Sequence, residues 1–266
     1  MAVRMEAVWD RQVRIEGWKQ DQVTATVALC LGVRATGSAV AMGLCRMGVG
    51  RILLVDNETV QLTDLPSSPL FATTDVGRNK VEAAVTGLQP HNLVSEIETF
   101  HFDHLQDWQQ LVSVATRATI IFNTISAGDL CDLAVQSLAL KLGIPLVQSG
   151  SLANFQLVDC YLGKGKPCMN CSSEGIDPAQ VQALCPNNIT ALVSIRDIVP
   201  VGLVEPPMTI VTAGIAGMLM VAQLGNMLIA DPQLVVVPRF ILSSSTMEAT
   251  KFPIATNESC LFCTGS

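Results

Sequence analysis

Cys168, Cys171, Cys260 and Cys263 form two C-x-x-C pairs, Pro167-Cys-Met-Asn-Cys171 and Ser259-Cys-Leu-Phe-Cys263. In a tight turn both sulfurs of a pair face one ion, and two such turns complete a tetrahedral tetrathiolate shell for zinc. A single pair would leave a dithiol redox centre open. Neither pair opens a helix after a strand, so structural zinc is the expected occupant, the alternative being two unrelated pairs. A filled four-sulfur shell keeps no position for substrate. Its expected work is to pin the C-terminal stretch to a mid-chain loop. The other five of the nine cysteines lack ligand spacing. Cys30, Cys45 and Cys131 lie in apolar runs and read as buried small hydrophobes.

A second constellation lies near the start. An apolar run, Thr26-Val-Ala-Leu-Cys-Leu-Gly32, leads into Gly32-Val-Arg-Ala-Thr-Gly37-Ser38, and the next apolar run ends at Asp56. A glycine turn between strand and helix lets backbone N–H groups approach phosphate, and an acid after the next strand can take ribose hydroxyls. Alone this is a weak signal, because Arg34 stands at the middle glycine of G-x-G-x-x-G. His91, His101 and His104 follow no pattern and read as surface or locally bonded side chains without a catalytic role. Cys185 has no histidine nearby in sequence to activate it as a nucleophile.

These residues need elements to position them. Strands are expected at 26–32, 51–56, 95–100, 119–123 and 144–148, separated by helices at 37–47, 80–88, 107–115 and 130–142. Apolar strands alternating with helices imply a parallel sheet covered on both faces. The second half reads differently. A strand over 154–162 precedes a long mixed crossover over 172–200, a helix within 208–230, and strands at 234–237 and 239–243. The fold class is therefore α/β, a Rossmann-like, mostly parallel sheet continued by antiparallel C-terminal strands. Residues 1–266 read as one domain, with a nucleotide-binding half over about 20–150 and a zinc-clamped half over 151–266.

Of the 266 residues, 49% are hydrophobic and 15% charged, enough apolar surface for a large core. The net charge of −7, without a Lys/Arg cluster, argues against nucleic acid as a partner. Met208 to Ala230 carries no charge, but it contains Gly214, Gly217, Gln223 and Asn226 and lacks flanking Lys or Arg. It reads as a buried helix rather than a membrane span. Met1-Ala-Val-Arg-Met-Glu has no apolar h-region, so a cytoplasmic setting without a secretory signal is expected.

Several motifs in register extend the glycine turn: Asp10-Arg-Gln-Val13, Met47-Gly-Val-Gly-Arg-Ile-Leu-Leu-Val-Asp-Asn-Glu-Thr-Val60, Asp75-Val-Gly-Arg-Asn-Lys-Val-Glu-Ala-Ala84 and Leu88-Gln-Pro-His91. With the late apolar helix and the Cys pairs they make the chain resemble the ThiF/MoeB/HesA family, the ubiquitin-activating-enzyme-like adenylyltransferases, over about residues 9–266. The resemblance implies Mg-ATP as substrate and adenylylation of a carboxylate on a ubiquitin-like or sulfur-carrier protein, a peptide or a small acid. It implies Gly32, Gly37 and Asp56 at the nucleotide, Asp56 on the ribose, and Lys80 on the phosphates. It further implies a twofold homodimer, or a heterodimer with a related subunit, in which Arg11 reaches a partner's site.

Three departures fall on the same chemistry. Arg34 replaces a glycine of the turn. The family's N-L-x-R-Q becomes Asp64-Leu-Pro-Ser-Ser68, with Ser67 for a phosphate-binding arginine. The family's D-x-x-D-N becomes Asn123-Thr-Ile-Ser-Ala127, with Ser126 for the magnesium aspartate and Asp129 three residues on. Deleting single electrostatic donors costs ~3 kcal/mol of transition-state stabilisation each. Two function classes therefore stand: an ATP-dependent adenylyltransferase with an altered nucleotide site, or a catalytically inactive pseudoenzyme serving dimerisation or carrier docking. A third is a pocket reused for another nucleotide or acid, with Arg34 supplying positive charge. The family's thioester branch needs a cysteine before the late helix, where Pro200 to Thr209 has none.

Overall fold

The computed structural model describes residues 8–125, 127–152, 154–163, 165–171, 178–196, 198, 207–229 and 239–263. A short helix α1 (Gln20–Ala25) leads into β1 (Val27–Leu31), α2 (Ala35–Met47) and β2 (Arg51–Val55). Then come α3 (Lys80–Leu88), β3 (Glu96–Phe100), α4 (Trp108–Ala115), β4 (Ile120–Asn123), α5 (Asp129–Leu142) and β5 (Leu146–Leu152). After β6 (Phe155–Tyr161) follow α6 (Pro178–Ala183), α7 (Ile210–Leu228), β7 (Arg239–Ser243) and β8 (Ala249–Phe252).

The strands form one eight-stranded sheet in the order β3-β2-β1-β4-β5-β6-β7-β8. β1 to β5 pair in parallel and β5 to β8 antiparallel. The chain moves outward from β1 through β2 to β3, then returns to place β4 on the other side of β1. At such a reversal the loops leaving the two neighbouring strands diverge, and a crevice opens beyond their C-terminal ends.

Two apolar layers hold the sheet. On one face α4 and α5 cover Leu29, Leu31, Leu53, Ile121 and Leu146, and the cysteine turns join the same cluster. The buried Trp108 indole of α4 donates to the Ile189 carbonyl at 2.8 Å, tying the crossover segment to this layer. On the other face α2, α3 and α7 cover Ala28, Cys30, Ile52, Leu54 and Phe122. Each fully buried Leu or Phe contributes about 1.5–3 kcal/mol.

Helix α3 and strand β7 span the expected residues, and the other expected elements within the described residues recur with ends shifted by a few residues. β3 differs in environment. Its sequence Glu-Ile-Glu-Thr-Phe lies at the sheet edge and is largely exposed rather than covered on both faces. Charges suit an edge strand because they discourage pairing with another chain. Arg51 bonds Glu96 and Arg117 bonds Glu98 along that edge. Helix α1 buries only Val23, and β8 is exposed throughout, so neither carries a periodic apolar signal. The expected strand at 234–237 lies outside the described residues.

Helix α7 is long and apolar enough to cross a bilayer, with a mean hydropathy of 1.5. One side packs on α2, β5 and β6, while Ile210, Val211 and Met218 stay exposed.

Candidate functional site

A cleft of about 320 Å³ opens at the reversal between β1 and β4. Gly32 follows β1, Asp56 follows β2, the loop 103–105 follows β3, and Thr124, Ile125 and Ala127 follow β4. Strand ends thus supply most of the lining.

Gly32 has φ +82, and a Cβ there would meet the Thr124 hydroxyl at 3.0 Å. Gly37, in the first turn of α2, is constrained more tightly: its Cβ would fall 2.0 Å from the Gly32 carbonyl oxygen. These two glycines bring helix and turn together, as the close-approach positions of a phosphate-binding turn require. The Thr124 hydroxyl donates to the Leu31 carbonyl at 2.9 Å and fixes the opposite wall.

Asp56 is buried, and its two carboxylate oxygens accept the Val33 and Glu58 backbone amides at 2.9 Å each. Burial pushes its pKa above the usual carboxylate value, opposed by those two amides and by Lys80. A carboxylate has further lone pairs, so Asp56 can hold the glycine turn and still accept hydroxyls from a ligand. The His101 ring bonds the Asp56 carbonyl at 3.2 Å. Of the two readings of the histidines, surface or locally bonded, His104 is not the surface one. It is buried and lines the cleft, and burial pushes its imidazole down to about 4, so it is neutral near pH 7. Across the mouth, Arg196 of the crossover pairs with Asp103, and Ile195 donates its amide to the Leu105 carbonyl at 2.9 Å.

Lys80 does not line this cleft. It opens α3, is fully buried, and sits in an adjoining pocket with Arg34, Asn57, Glu58 and Asp64. Its ammonium bonds the Glu58 carboxylate and lies 3.3 Å from Asp64. Arg34 Nε lies 2.7 Å from the other Asp64 oxygen. Asp64 is 1% exposed and also accepts the Gln61 amide at 2.9 Å. Lys80 and Asp64 thus form a buried ion pair, joined by the half-buried Arg34 and the exposed Glu58. Ser67, in the place of the resemblance's arginine, is buried and donates to the Asp64 carbonyl at 3.2 Å. Ser68 bonds Ser38 at 2.7 Å, so the loop folds onto the start of α2.

Ser126 lies outside the described residues. Asp129 is exposed at the start of α5 and is not among the cleft-lining residues. Asp129 therefore does not stand in for a magnesium carboxylate in the cleft, whose lining carboxylates are Asp56, Glu58 and Asp103. Arg11 is exposed and follows Trp9, whose ring packs over Gly48 at the far end of α2. Helical rise over α2 separates that end from Arg34 by ~20 Å. Cys185 is buried, with the Gln182 amide 3.9 Å from its sulfur.

The structure brings the four predicted cysteines together. Their sulfurs lie within 4.8 Å of one another, at 3.8 Å for Cys168–Cys171, 3.6 Å for Cys168–Cys260 and 3.4 Å for Cys171–Cys263. Zinc–sulfur bonds of about 2.3 Å give tetrahedral edges of about 3.8 Å, so the cluster fits the ion. These distances are too long for disulfides, which need about 2.05 Å. Amides outside the shell point at the sulfurs, with Asn170 Nδ2 3.4 Å from Cys260 and the Asn257 amide 3.5 Å from Cys171. Burial opposes ionisation of Cys260, but the Asn170 amide and the Cys263 and Phe262 backbone amides outweigh it and bring that thiol down to about 7. Burial and the neighbouring sulfurs push Cys168 up and Cys263 up to about 12, so it is a bound cation that would favour the thiolate at those two positions.

A polar row crosses the sheet beside the cleft. Asn123, Gln148, Asp159 and Arg239 are neighbours in register on β4 to β7, and Arg239 clamps Asp159 at 2.8 Å. Asn123 donates to Asp132 of α5 at 2.8 Å. Burial, then the Asp129 and Asp159 charges, push Asp132 from its ordinary 3.8 up to about 8. A raised carboxyl contributes stability below its unfolded pKa and loses it as pH rises through the folded one. Asp132→Asn is therefore expected to melt like the wild type at about pH 4 and higher than it near pH 8, by roughly 1 kcal/mol or more. A pH-independent difference between the two melting curves would contradict that assignment.

Comparison with known proteins places these features in context. A model of the ThiF family matches residues 9–262. The chain is 27% identical over 175 residues to the molybdopterin-synthase adenylyltransferase of Escherichia coli (strain K12), covering 62% of this chain and 67% of that protein. It is 24% identical over 154 residues to the sulfur carrier protein ThiS adenylyltransferase of Bacillus subtilis (strain 168), covering 57% of this chain and 45% of that protein. The crystal structure of E. coli MccB with ATP superposes with a TM-score of 0.73 at 19% identity, covering 92% of this chain and 68% of that one. The chain thus spans about two thirds or less of the length of these proteins.

Proposed function

The chain belongs to the ThiF family, and from that premise we propose that it binds an adenine nucleotide in the cleft between β1 and β4 and activates a carboxylate by adenylylation. The observation carrying this reading is the arrangement at the strand ends, where the Gly32 turn, Asp56 and Thr124 face one crevice. In the reaction a carboxylate oxygen bonds to the α-phosphorus of ATP, the bond to the β-phosphate bridging oxygen breaks, and pyrophosphate leaves with the displaced electron pair. Asp56 would accept the ribose hydroxyls, and the Gly32 turn would let backbone reach the phosphate. Lys80 and Arg34 supply the positive charge such a transfer needs. Magnesium would supply charge neutralisation when it accompanies the nucleotide, and Asp56, Glu58 and Asp103 are the carboxylates that line the cleft.

The proposed substrate is the C-terminal carboxylate of a ubiquitin-like or sulfur-carrier protein, or of a peptide. The Bacillus subtilis relative, named for a sulfur carrier protein, supports this class. The same reading includes a twofold dimer, homotypic or with a related subunit. Val211 and Met218 on the uncharged α7 are exposed, and Arg11 lies between Trp9 and Gln12, which contact the C-terminal end of α2, the end away from the Gly32 turn. It treats residues 1–266 as one domain, because β6 to β8 extend the sheet begun by β1 to β5. The cysteine cluster is assigned structural zinc and a reducing, cytoplasmic setting.

The test is carboxylate-dependent ATP–pyrophosphate exchange by zinc-loaded protein, with carrier proteins and peptides ending in a free carboxylate. Exchange that appears only with one substrate class is the expected result. No exchange at millimolar ATP would leave the second reading, a pseudoenzyme that docks a carrier or a related subunit. One observation favours that second reading: Arg34 and Lys80 are both engaged by buried Asp64, and Ser67 offers no charge.

A further inference from the structure

Side chains at two helix starts converge on one buried carboxylate. Arg34 is the N-cap of α2 and Lys80 the first residue of α3, and neither start has a side-chain cap. A helix start with a cation beside it favours an anion. Here the anion is the protein's own Asp64, held by Arg34 at 2.7 Å, Lys80 at 3.3 Å and the Gln61 amide at 2.9 Å. Glu58 supplies a second carboxylate on Lys80.

This network adjoins the cleft. Arg34, Asn57 and Glu58 line both the cleft of Gly32 and Asp56 and the pocket of Lys80 and Asp64. A nucleoside seated against Asp56 would carry its 5′ substituent toward Arg34. One phosphate there meets a guanidinium and the start of α2. A longer chain of phosphates runs on toward Asp64 and Glu58, where like charges oppose it. The two residue changes also match in chemistry. Arg34 adds a cation where the resemblance expects glycine, and Asp64 adds an anion where it expects asparagine. Together they form a compensating pair, not two independent losses.

The geometry points to a nucleoside monophosphate, free or as its acyl ester, as the preferred ligand of the cleft, with Asp64 as the internal anion that holds the outer phosphate positions. This rests on reading the cleft as a nucleotide site. It deepens that reading: an activated adenylate is held more firmly than ATP, and ATP enters when Asp64 releases Arg34 and Lys80. Asp64 acts here through two cations, so it is a positioning residue.

The experiment is calorimetric titration of zinc-loaded protein with adenosine, AMP and ATP, for the wild type, Asp64→Asn and Glu58→Gln. The wild type is expected to bind AMP about tenfold or more tightly than ATP. Asp64→Asn is expected to raise ATP affinity by about tenfold and leave adenosine unchanged. Glu58 is 55% exposed, so Glu58→Gln keeps the fold and should shift ATP affinity the same way by less. That second variant carries the test if Asp64→Asn does not fold. ATP binding tighter than AMP in the wild type, with neither variant altering the ratio, would overturn the inference and leave the nucleotide site intact. No binding of any of the three ligands would overturn both.

Discussion

Stripping the metal from the purified protein with a strong zinc chelator is expected to lower its melting temperature by about 10 °C or more. The four sulfurs sit on two turns that no strand pairing joins: Cys168 and Cys171 follow β6, and Cys260 and Cys263 follow β8. Three of these sulfurs belong to buried residues packed in the layer under α5. An ion offsets the mutual repulsion of thiolates held within 4.8 Å, and its binding energy counts toward folding because the unfolded chain does not hold the site. Without it the stretch after β8 loses its anchor, and proteolysis should cut first between Phe252 and Cys260. Cys260→Ser should reproduce the effect. Its direct readout is metal analysis, expected to find one zinc per chain in the wild type and none after chelation. Protein that lacks zinc as purified, and melts the same with or without chelator, would contradict the assignment.

Much of the scaffold was legible because its physics is local or strictly periodic. Buried parallel strands such as Val27–Leu31 are continuous apolar runs, and helices such as Ala35–Met47 follow them after a turn. The two C-x-x-C pairs needed only turn geometry, so their convergence could be read across a long separation in the chain. β8 escaped notice because an exposed edge strand has no apolar alternation, and α1 because six residues with one buried side chain have no period.

The site was legible where backbone shape demands a residue type, and obscure where partners come from distant loops. Gly32 and Gly37 are required by a φ of +82 and by a 2.0 Å approach, and glycine is visible in sequence. The pairing of Asp103 with Arg196 joins the loop after β3 to the crossover, and nothing local signals it. The burial of His104 had no local signal either: its ring meets Cys131 of α5 at 3.9 Å, 27 residues along the chain. Asp64 carried a faint signal. It is an acid in a motif that expects asparagine, and the only other new charge nearby is the opposite one at Arg34. Recognising the two as partners required the fold that sets helix α2 against the loop 61–68.

Adenylylation by this chain requires above all that the crevice between β1 and β4 be a nucleotide site. Ala127 lines it and is half-buried on the loop that leaves β4, away from the Asp56 hydrogen bonds. In Ala127→Trp an indole ring would occupy part of a space of about 320 Å³ without breaking a polar contact that holds the turn. Titration of AMP into zinc-loaded wild type and Ala127→Trp, with melting curves to show both are folded, is the direct measurement. Saturable binding to the wild type, weakened by about thirtyfold or more in the variant, is predicted. Equal binding by both proteins, or none by the wild type, would contradict it.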